Sequence, residues 1–319
     1  MRTRLLISAF LVALAASAGA QPSDWKAAWP RTDFARAGIP LGEIISGGVP
    51  RDGIPPIDAP RFAPVALVSA MYRGTEPVIT VEVKGKARAY PLGILMTHEI
   101  VNDELNGVPI AVTYCPLCNA AVVFERHLDG TVYDFGVTGM LRNSDLVMWD
   151  RQTESWWQQF TGQAIVGAMT GAKLRRLPTR VESFARFAHR FADGEVLLSP
   201  RGGQGSNPYE GYDSAERPFL YRGSFPEGLA PLAYVVAVDG EAWTLDLLRR
   251  AGRIESGSLV LSWHAGQNSA MDRRDISTGR DIGNVVVQRV TEHGLRDTAY
   301  DVTFAFAFHA FHPGSRIHR

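Results

Sequence analysis

The alternation of hydrophobic and polar positions predicts mostly β-structure between residues 78 and 160. Val78–Val83 alternates like a half-buried strand, whereas Val108–Tyr114 and Ala120–Phe124 are almost continuously apolar, as in strands buried on both faces. Asn106-Gly107 and Asp129-Gly130 supply turn residues between these runs. Three further strands are predicted, at Thr131–Val137, Asp145–Trp149 and Ser155–Phe160.

Helical signals are fewer and shorter. Pro91 suits the first position of a helix, which predicts a helix over Leu92–Ile100. Thr179 and Glu182 have the spacing of a capping box, which predicts a helix from there to about Phe191. A third helix is predicted at Leu245–Arg250. The expected fold class is therefore α+β, mainly antiparallel β with short helices.

The second half of the chain resembles the first. Leu259–His264 parallels Ile110–Cys115, and Phe304–His309 parallels Phe184–His189. Our hypothesis is an internal duplication, in which residues 230–319 repeat residues 75–200 as two quasi-repeated halves. His264 then stands where the first half has Cys115. The alternative is a chance resemblance between amphipathic segments, which share such patterns widely.

The N-terminal residues 1–20 have the features of a signal peptide. Arg2 and Arg4 precede the apolar stretch Leu5–Ala15, and Ala18-Gly19-Ala20 matches the small-residue cleavage pattern. We expect cleavage near Ala20 and a periplasmic or secreted protein; an uncleaved anchor is the alternative. Residues 21–70 are rich in Pro and Gly and are expected to form an extended arm around one module over residues 71–319.

Composition excludes several classes of protein. The chain has 33 basic and 33 acidic residues, and 45% of its residues are hydrophobic, so a disordered chain and a strongly basic nucleic-acid binder are excluded. After residue 20 no apolar run has membrane-spanning length. Gly202–Gly205 lacks the Lys-Ser/Thr of a phosphate loop, so no nucleotide site is expected.

The chain has two cysteines, Cys115 and Cys118, within Tyr114-Cys115-Pro116-Leu117-Cys118. In an exported protein such a pair normally forms a disulfide. A bridge that closes so short a loop contributes only about 2 kcal/mol, so this spacing suits thiol exchange or metal binding better. Asn119 stands where a haem-attachment motif has His, which excludes haem.

Two cysteines provide half of a four-ligand metal site, so further ligands must come from elsewhere. His98, just before the cysteine strand, is the first candidate. Methionine would favour Cu, whereas two imidazoles would favour Zn. For each histidine taken alone, a hydrogen-bonded structural role is the alternative. The remaining candidates are His312, His309, His264 and Met140.

A run of polar residues interrupts the predicted strands after residue 141. Asp145 is a candidate base or ligand in this run, and Arg142 a candidate anion holder. The alternative is a buried polar network that braces a turn. The network consists of Arg142, Asn143, Asp145 and Asp150.

Several of these motifs together resemble a bacterial family known as domain of unknown function 3179. The resemblance covers most of the mature chain but is poor around Ile254–Gly283, and it implies no established activity. It places His98 in the same motif group as the cysteines. The motifs are Tyr90–Leu92, His98–Asp103, Thr113–Cys118, Gly139–Arg151, Gln152–Ser155, Asn207–Asp213 and Phe311–Pro313.

Three functions remain open at this point, and whether the protein is an enzyme is undecided. The first is binding of Cu or Zn through Cys115, Cys118 and His98. The second is thiol/disulfide exchange, in which Cys115 attacks and Cys118 resolves. The third is a non-catalytic binding module in which the cysteines form a structural disulfide.

Overall fold

A computed structural model describes residues 25–202 and 207–319. Within these residues the body consists of five sheets of four or five strands, which resemble the blades of a five-bladed propeller. The prediction of a mainly antiparallel β-fold with short helices is confirmed, but the separate sheets do not form a clear α+β arrangement of two halves. The predicted signal peptide lies outside the described residues.

Sheets I and II carry the strands that surround the cysteines, and all their strands pair antiparallel. Sheet I consists, in spatial order, of Ile44–Ser46, Phe135–Arg142, Asp145–Asp150, Trp156–Gln158 and Gln163–Val166. Sheet II consists of Arg175–Arg176, Ala120–Glu125, Val108–Cys115 and Ile100–Leu105. A separate hairpin pairs His127–Leu128 with Thr131–Val132.

Sheets III and IV are each built on a central hairpin. Sheet III consists of Thr179–Ser183, Pro77–Val83, Lys86–Pro91, Glu195–Leu197 and Phe62–Pro64. Sheet IV consists of Asp301–Phe304, Tyr234–Val238, Glu241–Thr244 and Ile317–His318. Sheet V is a fully antiparallel set of Arg253–Ser256, Leu259–His264, Asn284–Thr291 and Gly294–Asp297.

The helices of the described residues are all short. The α-helices are Val65–Val68, Leu92–Leu95, Phe184–Arg190, Leu245–Ala251 and Ala305–Phe311. The 3-10 turns are Leu41–Glu43, Ser69–Met71, Pro116–Cys118, Tyr212–Ser214 and Ile276–Thr278. In the described part of the chain, none of the helices combines the length and the apolar character that a membrane crossing needs.

Two helix predictions were wrong in their extent. The helix that starts at Leu92 ends at Leu95, because Ile100 already pairs with Thr113 in sheet II. The predicted capping box at Thr179 is instead a strand, since Thr179–Ser183 pairs with Pro77–Val81 and the helix begins only at Phe184. Pairing with a buried neighbouring strand outweighs a local capping signal.

The strand predictions around the cysteines are confirmed. Val108–Cys115 and Ala120–Glu125 are adjacent antiparallel strands, and nearly all their side chains are buried. These strands belong to the largest hydrophobic cluster of the molecule, which extends across several sheets. The cysteine turn therefore lies inside the main core. The preceding arm contributes edge strands to sheets I and III, at Ile44–Ser46 and Phe62–Pro64.

Candidate functional site

The two cysteines lie on a tight turn that joins the central strands of sheet II. Cys115 is the last residue of its strand, and Pro116–Cys118 forms a single 3-10 turn with Pro at its first position. Asn119 closes this turn in the left-handed conformation, at φ 50°. Cys115 and Cys118 are 1% and 0% exposed. The turn thus holds both thiols inside the core, facing away from solvent.

Three contacts from outside sheet II hold this turn in place. The Thr303 hydroxyl donates to the carbonyl of Cys118 at 2.7 Å, and the Asn119 amide donates to the carbonyl of Val302 at 2.9 Å. The Tyr212 hydroxyl donates to the carbonyl of Leu117 at 3.0 Å. Because the carbonyls of Leu117 and Cys118 and the side chain of Asn119 are fixed, the turn that carries the two sulfurs has little freedom to move.

Asp145 completes a compact buried cluster with the two thiols. One ligand atom from each of Cys115, Cys118 and Asp145 lies within 4.8 Å of the others, and all three residues are buried. The sulfurs also approach the carbonyl oxygen of Ser144, at 3.8 Å from Cys115 and 3.3 Å from Cys118. The cysteines are free thiols and are not at disulfide distance, so the predicted structural disulfide is not present.

The carboxyl group of Asp145 has different partners on its two sides. Its Oδ2 accepts from the Gln158 amide at 2.6 Å and from the backbone N–H of Phe160 at 3.0 Å. Its Oδ1 is buried and receives no N–H or O–H donor among the described residues, whereas the Cys115 and Cys118 thiols hydrogen-bond to the carboxyl group. Burial raises the pKa of Asp145 to about 7. The carboxyl group therefore faces the two thiols, where a metal ion would replace the thiol protons.

A second buried carboxyl, Glu99, lies close to the cluster. Glu99 lies between the Leu92–Leu95 helix and the strand Ile100–Leu105 of sheet II, and its backbone is in the left-handed conformation at φ 57°. Burial, and then the negative charge of Asp145, raise the pKa of Glu99 to about 8. A left-handed backbone at a non-glycine residue is a form of strain that often accompanies functional sites.

The site contains no paired cation to balance these carboxyls. Among residues 25–202 and 207–319, neither Glu99 nor Asp145 forms a salt bridge, and Arg142 pairs with Glu43 instead, at 2.7 Å. Burial raises the pKa of Cys115, and burial together with Cys115 raises the pKa of Cys118 well above its usual value. Without a bound cation, both thiols are therefore protonated at neutral pH.

The structure does not bring His98 to the sulfurs. Its ring Nδ1 lies 2.8 Å from the carbonyl oxygen of Pro55, and no described histidine joins the cluster of Cys115, Cys118 and Asp145. His98 is buried, so its hydrogen bond fits the structural role that was the alternative. His98 precedes Glu99 in the sequence, and it is the side chain of Glu99, not that of His98, that lies near the thiols.

The other predicted ligands are scattered. His264 is exposed at the end of its strand in sheet V, and His309 faces the hydroxyl of Ser224 at 3.2 Å. His312 caps the last helix and stacks on Phe308, with ring centroids 5.0 Å apart. Burial lowers the pKa of His312. Met140 is half-buried and packs at the edge of a different hydrophobic cluster.

The structure links two of the four residues of the predicted polar network, since Gln158 accepts from Arg142 at 3.3 Å and donates to Asp145 at 2.6 Å. Asp145 joins the thiols, whereas Asp150, at the far end of the same strand, accepts from Trp157 Nε1 at 2.8 Å. Asn143 forms the hairpin turn before Asp145, with φ 55°. Arg142 lies in the neighbouring strand. Only Asp145 therefore has the position of a ligand.

A small cavity opens next to the cysteine turn. Its volume is about 160 Å³, and its wall includes Glu99 and Tyr209 among mostly apolar side chains. Leu117, at the tip of the cysteine turn, lines the same cavity. The sequence does not predict Glu99 as a site residue, because neither spacing nor composition reveals a left-handed residue whose carboxyl faces a cavity.

Comparison with known proteins identifies the family. Residues 51–315 match the model of a family described as protein of unknown function (DUF3179), and the chain belongs to this family. The resemblance expected from the sequence is thereby confirmed. No curated protein and no solved structure matches the chain.

Proposed function

We propose that this DUF3179 protein holds one soft or borderline metal ion, zinc or copper, between Cys115, Cys118 and Asp145. The observation that carries the proposal is the buried cluster of two sulfurs and a carboxylate whose Oδ1 has no conventional hydrogen-bond partner among the described residues. Ligand atoms around a tetrahedral Zn²⁺ stand about 3.4–3.8 Å apart, a spacing that small side-chain movements within the 4.8 Å cluster would provide.

The donor set favours zinc over copper. Zinc accepts thiolate and carboxylate together, whereas Cu(I) is selected by sulfur donors alone. Met140, the predicted soft ligand, does not belong to the cluster. Zinc would also supply the positive charge that Asp145 lacks. It would further convert the protonated thiols to thiolates, because a coordinated thiol is deprotonated.

Thiol/disulfide exchange receives less support from the same geometry. An attacking cysteine needs access to its partner and a lowered pKa. Cys115 and Cys118 are almost fully buried, and the pKa values of both are raised. A metal ion is much smaller than a substrate protein that carries a disulfide, so the ion reaches these buried thiols more readily.

Metal content provides the direct test. We expect about one zinc or copper ion per chain when the protein is purified from the compartment in which it matures and is analysed by inductively coupled plasma mass spectrometry. Cys115→Ser and Asp145→Asn should each lower the content several-fold. Asp150→Asn is the matched control, since Asp150 is a buried carboxyl on the same strand outside the cluster. A metal-free wild-type protein would contradict the proposal.

We also propose that the protein acts after export. The charged start and small-residue cleavage pattern of residues 1–20 support removal of this segment. The mass of the protein recovered from the periplasm or medium should correspond to a chain that begins near Gln21. Recovery of the full-length chain from the cytoplasm alone would contradict export. The proposed metal site would be unaffected, because it rests on other residues.

We infer that sheets III and IV are two copies of one unit, which supports the predicted duplication. In each, a central antiparallel hairpin leads into a helix, a later antiparallel strand lies on one side, and a second helix leads to a parallel strand on the other side. The helices Phe184–Arg190 and Ala305–Phe311 correspond. Phe184 therefore corresponds to Ala305, one residue after the Phe304 with which the sequence comparison pairs it. Superposed crystal coordinates that broke this order would refute the duplication.

A further inference from the structure

The cavity beside the cysteine turn has the composition of a site for a small organic molecule. Most of its wall is apolar and comes from sheet I, the arm and the turn itself, through side chains such as Leu146, Met140 and Leu117. A hydrated metal ion has no need of apolar walls. Apolar walls with a few convergent polar groups are instead typical of ligand pockets.

Glu99 is the unpartnered polar group in this cavity. It is 7% exposed, and no residue within 25–202 or 207–319 donates a hydrogen bond to its carboxyl group. Its oxygens are not fully buried, because the cavity gives them contact with solvent, which a ligand donor would replace. Burial and the charge of Asp145 raise the pKa of Glu99 to about 8, so the empty site holds mostly the neutral acid, and a bound ammonium ion would favour the carboxylate.

Aromatic side chains line the same cavity. Tyr209 is half-buried near Glu99, and Phe219 is 57% exposed at the edge of the cavity. The loop that carries them is fixed to the site, since the Tyr212 hydroxyl bonds both the Leu117 carbonyl and the backbone N–H of Phe219. A carboxylate flanked by aromatic rings is a pairing that recognises organic ammonium groups.

We propose that this cavity binds a small organic ammonium ion, with the ammonium group on Glu99 and a short apolar body between Leu117, Leu146 and Phe219. The size limits the ligand, because an engineered cavity of about 150 Å³ accommodates benzene. Benzylamine is therefore near the upper limit. This site is separate from the metal proposed at Cys115, Cys118 and Asp145, and its occupancy does not depend on that ion.

The test compares benzylamine with benzyl alcohol, which has nearly the same shape but no charge. We expect saturable binding of benzylamine to the mature wild-type chain in the range of about 1–10 mM by ligand-observed NMR, typical for a ligand of about eight non-hydrogen atoms. Glu99→Gln should weaken it at least about 10-fold, the usual size of a lost charged hydrogen bond. Glu104→Gln, a change at an exposed carboxyl outside the cavity wall, should leave it unaltered.

Phe219→Ala provides a second variant whose folding is not at risk, since this ring is largely exposed. It should weaken benzylamine about three-fold. Equal binding of benzyl alcohol and benzylamine, benzylamine binding that Glu99→Gln leaves unchanged, or no saturable binding of benzylamine would each overturn the proposal. Binding should persist after chelation and in Cys115→Ser, so loss of the metal site and loss of the amine site are distinguishable results.

Discussion

Two buried aspartates of this molecule, Asp213 and Asp145, have different partners. Asp213 forms a salt bridge with the Arg280 guanidinium at 2.7 Å, and it accepts hydrogen bonds from the Tyr234 hydroxyl at 3.0 Å and from the Ser269 hydroxyl. Asp145 accepts from N–H donors, the Gln158 amide and a backbone N–H, on one oxygen only. The chain supplies a cation for the first carboxylate and none, among its described residues, for the second.

This difference separates a structural acid from a candidate ligand. A buried charge that is paired and fully hydrogen-bonded needs nothing further. Asp145, beside two thiols and a second carboxyl, has only neutral hydrogen-bond donors and no paired cation among the described residues. The proposed metal ion would supply that positive charge at Asp145, whereas Asp213 braces the fold.

Among single substitutions, the largest expected effect comes from removing the cation that pairs with Asp213. Arg280→Met leaves Asp213 buried beside neutral donors, and we expect a loss of about 2 kcal/mol in the free energy of unfolding, below the range for fully buried pairs because Arg280 is partly exposed. In metal-free protein, Asp145→Asn should stay within about 1 kcal/mol of wild type, since Asn keeps an acceptor for Gln158 and Phe160. Urea denaturation measures both values. Equal losses would remove the distinction between the two sites.

The pH dependence of metal-free protein follows from the raised pKa of Glu99. The pKa of Glu99 is about 8 in the folded protein against an ordinary value of 4.5, so folded protein keeps a proton that unfolded protein releases. Its stabilising contribution is full below about pH 4.5 and is lost as pH rises towards 8. Stability should therefore fall between pH 5 and 8, by up to about 1.4 kcal/mol per pH unit from this group.

Glu99→Gln should reduce that pH dependence to the part that comes from Asp145, whose pKa is raised to about 7. Glu104→Gln should leave it unchanged, because Glu104 is exposed. Thermal melts at several pH values in the presence of a chelator provide the measurement. A melting temperature that rises steadily over this range in wild-type protein would show that Glu99 is ionised and satisfied in the fold.

The local sequence predicts the strands around the cysteines, but it does not predict which residues lie near the thiols. The strands Val108–Cys115 and Ala120–Glu125 were predicted because continuous apolar runs bounded by turn residues have few other solutions. The helix expected at Thr179 failed because its competitor, pairing with Pro77–Val81, comes from about 100 residues away. Local patterns do not report such distant partners.

The same reason explains the site residues. The cysteine spacing pointed to the turn, and Asp145 was recognised as a polar residue in a strand, but their meeting depends on how sheet I packs on sheet II. His98 was preferred for its chemistry, and the chain places the neighbouring Glu99 near the thiols instead. A left-handed residue at φ 57° breaks the alternation by which facing side chains are predicted.

The smallest expected effect concerns the contact that fixes the cysteine turn. Thr303→Val removes the hydroxyl that donates to the carbonyl of Cys118, and we expect a loss of about 1 kcal/mol in unfolding free energy. Metal affinity should also fall, since the turn would position its sulfurs less firmly; competition with a chromogenic chelator measures this. Unchanged affinity would mean that sheet II alone positions the thiols.

The proposed metal site requires Cys115, Cys118 and Asp145 to bind the same ion. X-ray absorption at the metal edge of the purified protein identifies the atoms around that ion. We expect two sulfur neighbours at about 2.3 Å and at least one oxygen neighbour at about 2.0–2.2 Å, with a weaker sulfur signal in Cys115→Ser. A bound metal surrounded only by nitrogen and oxygen would rule out this site.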